Sequence, residues 1–240
     1  MLPTPSVFTL KAIQRNQNSF RDIITRFSIA LLLTFFVAGC QHGPPKESGQ
    51  FRDADLVEIV RLDPAIRLDI RYATTNSFLR RPVYAQAKAF LQRPAAEALL
   101  RVQQTLKPQG YGLVIFDGYR PWSVTKIFWD SASAHERKIE FVANPRKGSR
   151  HNRGCAVDLT LCDLATGRQV EMPSGYDEFT ERAFPDYAGG KSEARALRAL
   201  LRSAMEAEGF TVYRAEWWHF DYQNWKQYRI LDLPFEAIGP

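Results

Sequence analysis

The chain has 240 residues, 45% hydrophobic and 24% charged, the balance of a globular protein whose natural organisation is one domain around a real core. A formal charge of +6 invites a nucleic-acid reading, yet Lys11, Arg15, Arg21 and Arg26 face only Asp22 within residues 1–39, which leaves 28 basic and 25 acidic residues beyond them. No Lys/Arg run or basic stripe with interleaved aromatics follows, so nucleic-acid binding is discounted.

The first element is an address. A basic, polar stretch ends at Arg26 and is followed by FSIALLLTFFVAGC, an apolar run that stops at Cys40. The run is short for a bilayer span and has the length of a signal-peptide apolar region. Its end, Val37-Ala38-Gly39-Cys40, resembles the bacterial lipobox, in which small residues precede a cysteine that is lipidated and becomes the mature N-terminus. The expectation is a lipoprotein signal peptide over residues 1–39 and a lipid anchor on Cys40 facing the periplasm. Gln41, in place of Asp after the cysteine, resembles the outer-membrane version of the signal. A buried N-terminal helix is the alternative. Against it stands QHGPPKESGQ, residues 41–50, whose polar, Pro- and Gly-containing composition predicts a flexible tether over residues 40–50. Residues 51–240 then form the domain.

Within that domain helix and strand patterns mix, without internal repeats. PAAEALLRVQQTLKPQG places Pro94 in a first turn and sets Ala95, Leu99, Val102 and Leu106 on one helical face, with Gly110 as the stop. YGLVIFD, residues 111–117, reads as a short buried strand leading into a Gly-Tyr-Arg-Pro turn, and a helix is expected from Trp122 to Ala132. SEARALRALLRSAMEAEG carries Ala194, Leu197, Leu201 and Met205 at helical spacing, with a Ser192 cap and a Gly209 stop. FTVYRAEWWHFDY then returns as one strand, aromatic enough to border a pocket. With Cys40 acylated, Cys155 and Cys162 remain; seven apart on one extended segment, they are too distant to bridge and should be buried free thiols.

The chemistry concentrates in two stretches. SRHNRGCAVDLTL, residues 149–161, holds His151 and Asp158, and EWWHF, residues 216–220, holds Glu216 and His219. Only two other histidines exist: His42 in the tether and His135 in a polar loop. A catalytic zinc takes three protein ligands from His, Asp or Glu and keeps one position open. His151, Asp158 and His219 meet that count, which leaves Glu216 free to act as a general base. A hydrogen-bonded Glu216/His219 pair on an aromatic strand is the bland alternative, weakened by the presence of the first stretch.

Ser149-x-His151-x-x-Gly154-x-Ala156-x-Asp158 together with Glu216-x-Trp218-His219 resembles the signature of the zinc DD-peptidase family, which includes VanY-type carboxypeptidases and VanX-type D-alanyl-D-alanine dipeptidases. DGYRP (117–121), RYATTNSF (71–78) and SGYDEF (174–179) resemble segments of the dipeptidase branch. The resemblance covers roughly residues 55–225 and implies an α+β, hedgehog-like DD-peptidase fold, with a small antiparallel sheet carrying one zinc ion and helices packed beside it. It implies metal ligation by His151, Asp158 and His219, catalysis by Glu216 as base and by Arg120 as the group that stabilises the oxyanion, and substrate binding by Ser149 at the carboxylate end, Asp177 at the ammonium end and Tyr72 across the pocket. A structural arginine, an N-cap, a solvated loop charge and a core tyrosine are the alternatives for Arg120, Ser149, Asp177 and Tyr72. Arg150 and Cys155 depart from the family pattern. The implied substrate is a small dipeptide, D-alanyl-D-alanine, with a DD- or LD-carboxypeptidase of peptidoglycan stem peptides, or a non-catalytic wall-binding lipoprotein, as competing readings.

Overall fold

The computed structural model describes residues 43–239; the expected signal peptide 1–39 and its Cys40 lie outside the described residues. In chain order the elements are β1 (Leu56–Glu58), α1 (Ile59–Leu62), β2 (Arg67–Leu68), β3 (Phe90–Gln92), α2 (Arg93–Leu106), β4 (Tyr111–Asp117), α3 (Trp122–Ser131), α4 (Ala134–Lys138), β5 (Ala156–Asp163), α5 (Ser192–Ala207), β6 (Phe210–Tyr213) and β7 (Glu216–Tyr222). The architecture is α+β. A five-stranded sheet runs in the order β2-β4-β5-β7-β6, and β1 pairs with β3 in a separate ribbon. The sheet is not wholly antiparallel as expected: the two-residue edge strand β2 lies parallel to β4, while the other pairings are antiparallel.

The helices form where the apolar spacing places them. Ala95, Leu99, Val102 and Leu106 of α2 are all buried, and α2 packs on β4 and on α5, whose Leu201 and Met205 are buried in turn. Val157, Leu159 and Leu161 of β5 enter this core, so by the period-two alternation of a strand Asp158 and Thr160 point to the opposite face. Helix α5 begins one residue earlier than a Ser192 cap requires: Lys191 is the cap, without a side-chain bond, and Ser192 is the first helical residue. Gly209 follows its end at φ 84. No helix among the described residues is long and apolar enough to cross a membrane.

Three further expectations are corrected. FTVYRAEWWHFDY is not one strand but the hairpin β6–β7, turning at Arg214 and Ala215. His135 sits in the short helix α4, whose N-terminus is a capping box made by Ser133 and Glu136, and not in a loop. Residues 43–50 do not hang free as a tether: Glu47 ion-pairs with buried Arg153 at 2.5 Å and accepts the backbone N–H of Ile230 at 2.8 Å. Cys155 and Cys162 are free and buried, as expected.

Register decides what the sheet presents. Asp117 of β4 stands opposite Asp158 of β5, and Asp158 stands opposite His219 of β7. Three chemically active side chains therefore line up across three adjacent strands, where cross-strand neighbours lie about 4.5–5.5 Å apart.

Candidate active site

His151 lies not on a strand but on a 3-10 turn, His151–Arg153, that precedes β5. Local bonds fix this turn. Ser149 Oγ accepts the His151 N–H at 3.2 Å, and Asn152 Oδ1 accepts the Ser149 N–H at 2.8 Å. The Asn152 amide donates to the Arg120 carbonyl and to Thr125 Oγ1, each at 2.8 Å, tying the turn to the Gly-Tyr-Arg-Pro segment and to α3. Gly154 closes the turn at φ 67, a left-handed backbone that favours glycine, and a Cβ there would have to push aside the Leu56 Cδ2 methyl at 2.5 Å.

The ring of His151 is aimed by its own neighbour. Nδ1 lies 2.7 Å from the Gly118 carbonyl, so Nδ1 carries the proton and Nε2 the lone pair. Gly118 can come this close because it has no side chain; a Cβ would lie 2.7 Å from the Phe90 carbonyl oxygen. His151 Nε2, Asp158 Oδ1 and His219 Nδ1 form a triangle with edges of 3.1, 3.4 and 3.0 Å. Donors at about 2.0–2.1 Å from a tetrahedral zinc are separated by about 3.3 Å, so the triangle fits that ion. A second observation agrees: Asp158 Oδ1 is buried and has no hydrogen-bond partner, while Oδ2 accepts the Tyr176 hydroxyl at 3.0 Å. Among the described residues this is the one cluster of three such side chains close enough to share an ion.

Charge is gathered tightly here. Burial opposes ionisation of Asp158, but the two imidazoles outweigh it and hold the carboxyl well below its usual range. Burial likewise opposes a charged His219, yet the carboxylates of Asp221 and Asp158 push it up to about 10. A metal ion must displace that proton to bind. Glu216 opens β7 and lies 3.7 Å from His219 Nδ1. A spacing of three along a regular strand would put the two on opposite faces; the β6–β7 pairing slips between Val212 and Tyr213, and Tyr213 is the residue paired with Glu216. Burial, reinforced by Asp158 and Asp177 and countered by His219, raises Glu216 to about 8, the range of a base working near neutrality.

Arg120 is buried, and its guanidinium is held by Asp117: Nε and Nη2 both reach Asp117 Oδ2, at 2.9 and 2.8 Å. Asp117 Oδ1 accepts the Tyr84 hydroxyl and the Gly118 N–H, each at 2.9 Å. The guanidinium stands 4.5 Å over the Phe128 ring and 3.7 Å from Asp158, so Arg120 is no surface arginine. The Tyr72 ring is buried in the core while its hydroxyl donates to Asp177 at 3.1 Å and lies 3.0 Å from the Tyr176 hydroxyl, whose own proton goes to Asp158. Asp177 is partly buried at φ 58; burial, with Asp158 adding to it, pushes its carboxyl up to about 7. Ser149 is not the cap of the turn, a position taken by Arg150; its oxygen braces the turn at the His151 N–H, and the residue lines the cleft. All eight candidates, Tyr72, Arg120, Ser149, His151, Asp158, Asp177, Glu216 and His219, line one cleft of about 530 Å³. Arg150 is on its rim, whereas Cys155 is buried away from it.

The profile of the D-ala-D-ala dipeptidase family matches residues 52–233, most of the chain. The chain belongs to this family. It is 30% identical over 184 residues to a D-alanyl-D-alanine dipeptidase of Escherichia coli (strain K12), a match that covers 77% of this chain and 93% of that one. It is 35% identical over 187 residues to one of Enterococcus faecalis (strain ATCC 700802 / V583), covering 71% and 88% respectively. Among solved structures, the LdcB LD-carboxypeptidase aligns over 82% of this chain and 85% of that one at 20% identity, with a TM-score of 0.44. Membership of the D-ala-D-ala dipeptidase family makes the chain a metallopeptidase whose cofactor is zinc, in agreement with the donor triangle. Asp117, Asn152, Tyr176 and Asp221 are site residues that sequence reasoning did not single out; the three-residue spacing of Asp117 and Arg120 was the one available signal.

Proposed function

We propose that this member of the D-ala-D-ala dipeptidase family hydrolyses the free dipeptide D-alanyl-D-alanine to two D-alanines, in turnover of cell-wall peptides. The observation that carries the reading is Asp177: a partly buried carboxylate in the same cleft as the donor triangle, bonded through its side chain to the Tyr72 hydroxyl. Such a group lacks a counter-charge, and a substrate with a free ammonium supplies one. The relatives of E. coli and E. faecalis are named for the same dipeptide.

The roles follow from position. His151, Asp158 and His219 hold the zinc, which when bound polarises the scissile carbonyl and acidifies water. Glu216 takes the proton from the attacking water and returns it to the leaving amine. Arg120 faces the carbonyl oxygen as negative charge develops there; its guanidinium is already oriented by Asp117 and needs little reorganisation. Asp177 and Tyr72 receive the substrate's ammonium, and Ser149 donates its hydroxyl to the carboxylate. We also infer a lipid anchor at Cys40, after removal of residues 1–39, which places the domain on the periplasmic face of the envelope and at the outer membrane; the motif Val37-Ala38-Gly39-Cys40 supports this.

The deciding measurement is kcat/KM for D-Ala-D-Ala beside its N-acetyl derivative. Acetylation removes the ammonium and leaves Asp177 without its partner, a loss worth a few kcal/mol for a paired charge at a desolvated site. The acetylated dipeptide is therefore a very poor substrate. Equal or faster cleavage of the acetylated form refutes the dipeptidase reading in favour of a carboxypeptidase of stem peptides.

A further inference from the structure

His219 has two ring nitrogens, and the donor triangle uses Nδ1. The other, Nε2, lies 3.0 Å from Asp221 Oδ1, two residues further along β7. Once the metal has displaced the second proton, an imidazole whose Nε2–H is donated to a carboxylate carries its lone pair on Nδ1, the atom that faces Asp158 and His151. Asp221 is in turn approached by Arg150: Nε lies 3.4 Å from Asp221 Oδ2, and the guanidinium stands 4.9 Å over the Trp225 ring. Arg150 immediately precedes His151 in the chain. The pair Arg150–Asp221 therefore joins the turn that carries one histidine to the strand that carries the other. His151 is oriented differently, by the neutral carbonyl of Gly118.

We propose that Asp221 is the positioning residue of the metal centre, fixing the tautomer and tilt of His219, and that Arg150 holds Asp221 in place while fastening the His151 turn to β7. Neither contributes a donor atom to the triangle. Partners of this kind, where a ligating histidine gives its second N–H to a carboxylate, typically change metal affinity by about 10- to 100-fold when removed. The two histidines then differ in kind: one rests on backbone, which no substitution at that carbonyl can alter, and the other on a side chain that can be changed.

This inference rests on the zinc metallopeptidase reading, and the test keeps the two apart. Zinc content and affinity, by chelator competition, are measured on the full chain and on Asp221→Ala, Asp221→Asn and Arg150→Gln, together with the visible spectrum of each cobalt-substituted protein. Failure of the unaltered chain to bind one equivalent of zinc refutes the metallopeptidase reading, whatever the variants do. Given binding, Asp221→Ala should weaken zinc by about 100-fold and Asp221→Asn by about 10-fold, the ends of that range. Arg150→Gln should weaken it less than either. Cobalt bands should shift in the alanine variant, and KM should stay unchanged. A purely architectural role predicts loss of thermal stability in chelator too; positioning predicts that only the gain in stability on adding zinc shrinks. If Asp221→Ala does not fold, the near-isosteric asparagine decides. Zinc affinity within twofold of the unaltered chain in either Asp221 variant overturns the proposal.

Discussion

Asp117 governs Arg120, and replacing it with asparagine tests how the site is built. In Asp117→Asn the side-chain oxygen can keep the Tyr84 hydroxyl and the Gly118 N–H, but an amide NH2 replaces Oδ2, which accepts two guanidinium N–H groups at 2.9 and 2.8 Å. Donor then meets donor, and a buried cation loses its nearest counter-charge. The next carboxylate is Asp158 at 3.7 Å, already committed to the donor triangle. Breaking a buried pair by removing one partner costs about 3–5 kcal/mol, and the side chains here are 9% and 1% exposed, so little solvent screening reduces it. A guanidinium drawn toward Asp158 is also mis-aimed at the substrate, and loss of one oxyanion donor typically lowers kcat by about 10²–10³-fold. Urea unfolding, zinc content and kcat/KM are the assays. Stability should fall by about 3–5 kcal/mol, activity by about two orders of magnitude or more, and zinc should stay bound. The double variant Asp117→Asn/Arg120→Gln should recover much of the stability, because the orphaned charge is gone, without recovering activity. Wild-type kcat/KM in Asp117→Asn, or a double variant less stable than either single one, refutes the assignment of Asp117 as the residue that orients Arg120.

Alanine at His151, Asp158 or His219 should abolish stoichiometric zinc, whereas Glu216→Gln should retain it and lose about 10²- to 10⁴-fold in kcat; metal analysis of the purified proteins separates these outcomes. Asn152→Ala deletes the clasp between the His151 turn and the Arg120 carbonyl, leaving buried groups unpaired at about 1–3 kcal/mol each, and differential scanning calorimetry should show the loss. Cys40→Ser should abolish incorporation of radiolabelled palmitate in a bacterial host; absence of label in the unaltered chain removes the lipoprotein reading.

The donor residues were legible because histidine is scarce in this chain and two of its four copies share a short stretch with a carboxylate, His151 with Asp158 and His219 with Glu216. Helices α2 and α5 were legible for a different reason: their apolar stripes repeat at helical spacing, and the core takes up those same residues. The β6–β7 turn was not, because Arg214 and Ala215 carry none of the Gly, Asn or Asp that mark tight hairpins. Asp117, Asn152 and Asp221 escaped because aspartate and asparagine are common, and their roles arise only when strands far apart in sequence fix their neighbours. The short reach between Glu216 and His219 depends on a slipped register that no local pattern announces.

The contact of Glu47 with Arg153 separates two notions of where a domain begins. Ancestry draws the border at residue 52, where the family profile starts. Energetics draws it earlier, because Arg153 is buried one residue beyond the His151–Asn152 pair and leans on a carboxylate supplied from upstream. A chain begun at Phe51 would contain every donor, base and substrate contact named above, yet would leave a guanidinium without its carboxylate, hydrogen-bonded only to the Tyr228 carbonyl, at the foot of the turn that aims His151. What composition describes as spacer has become part of the scaffold, and trimming to the family border would remove a support of the metal centre.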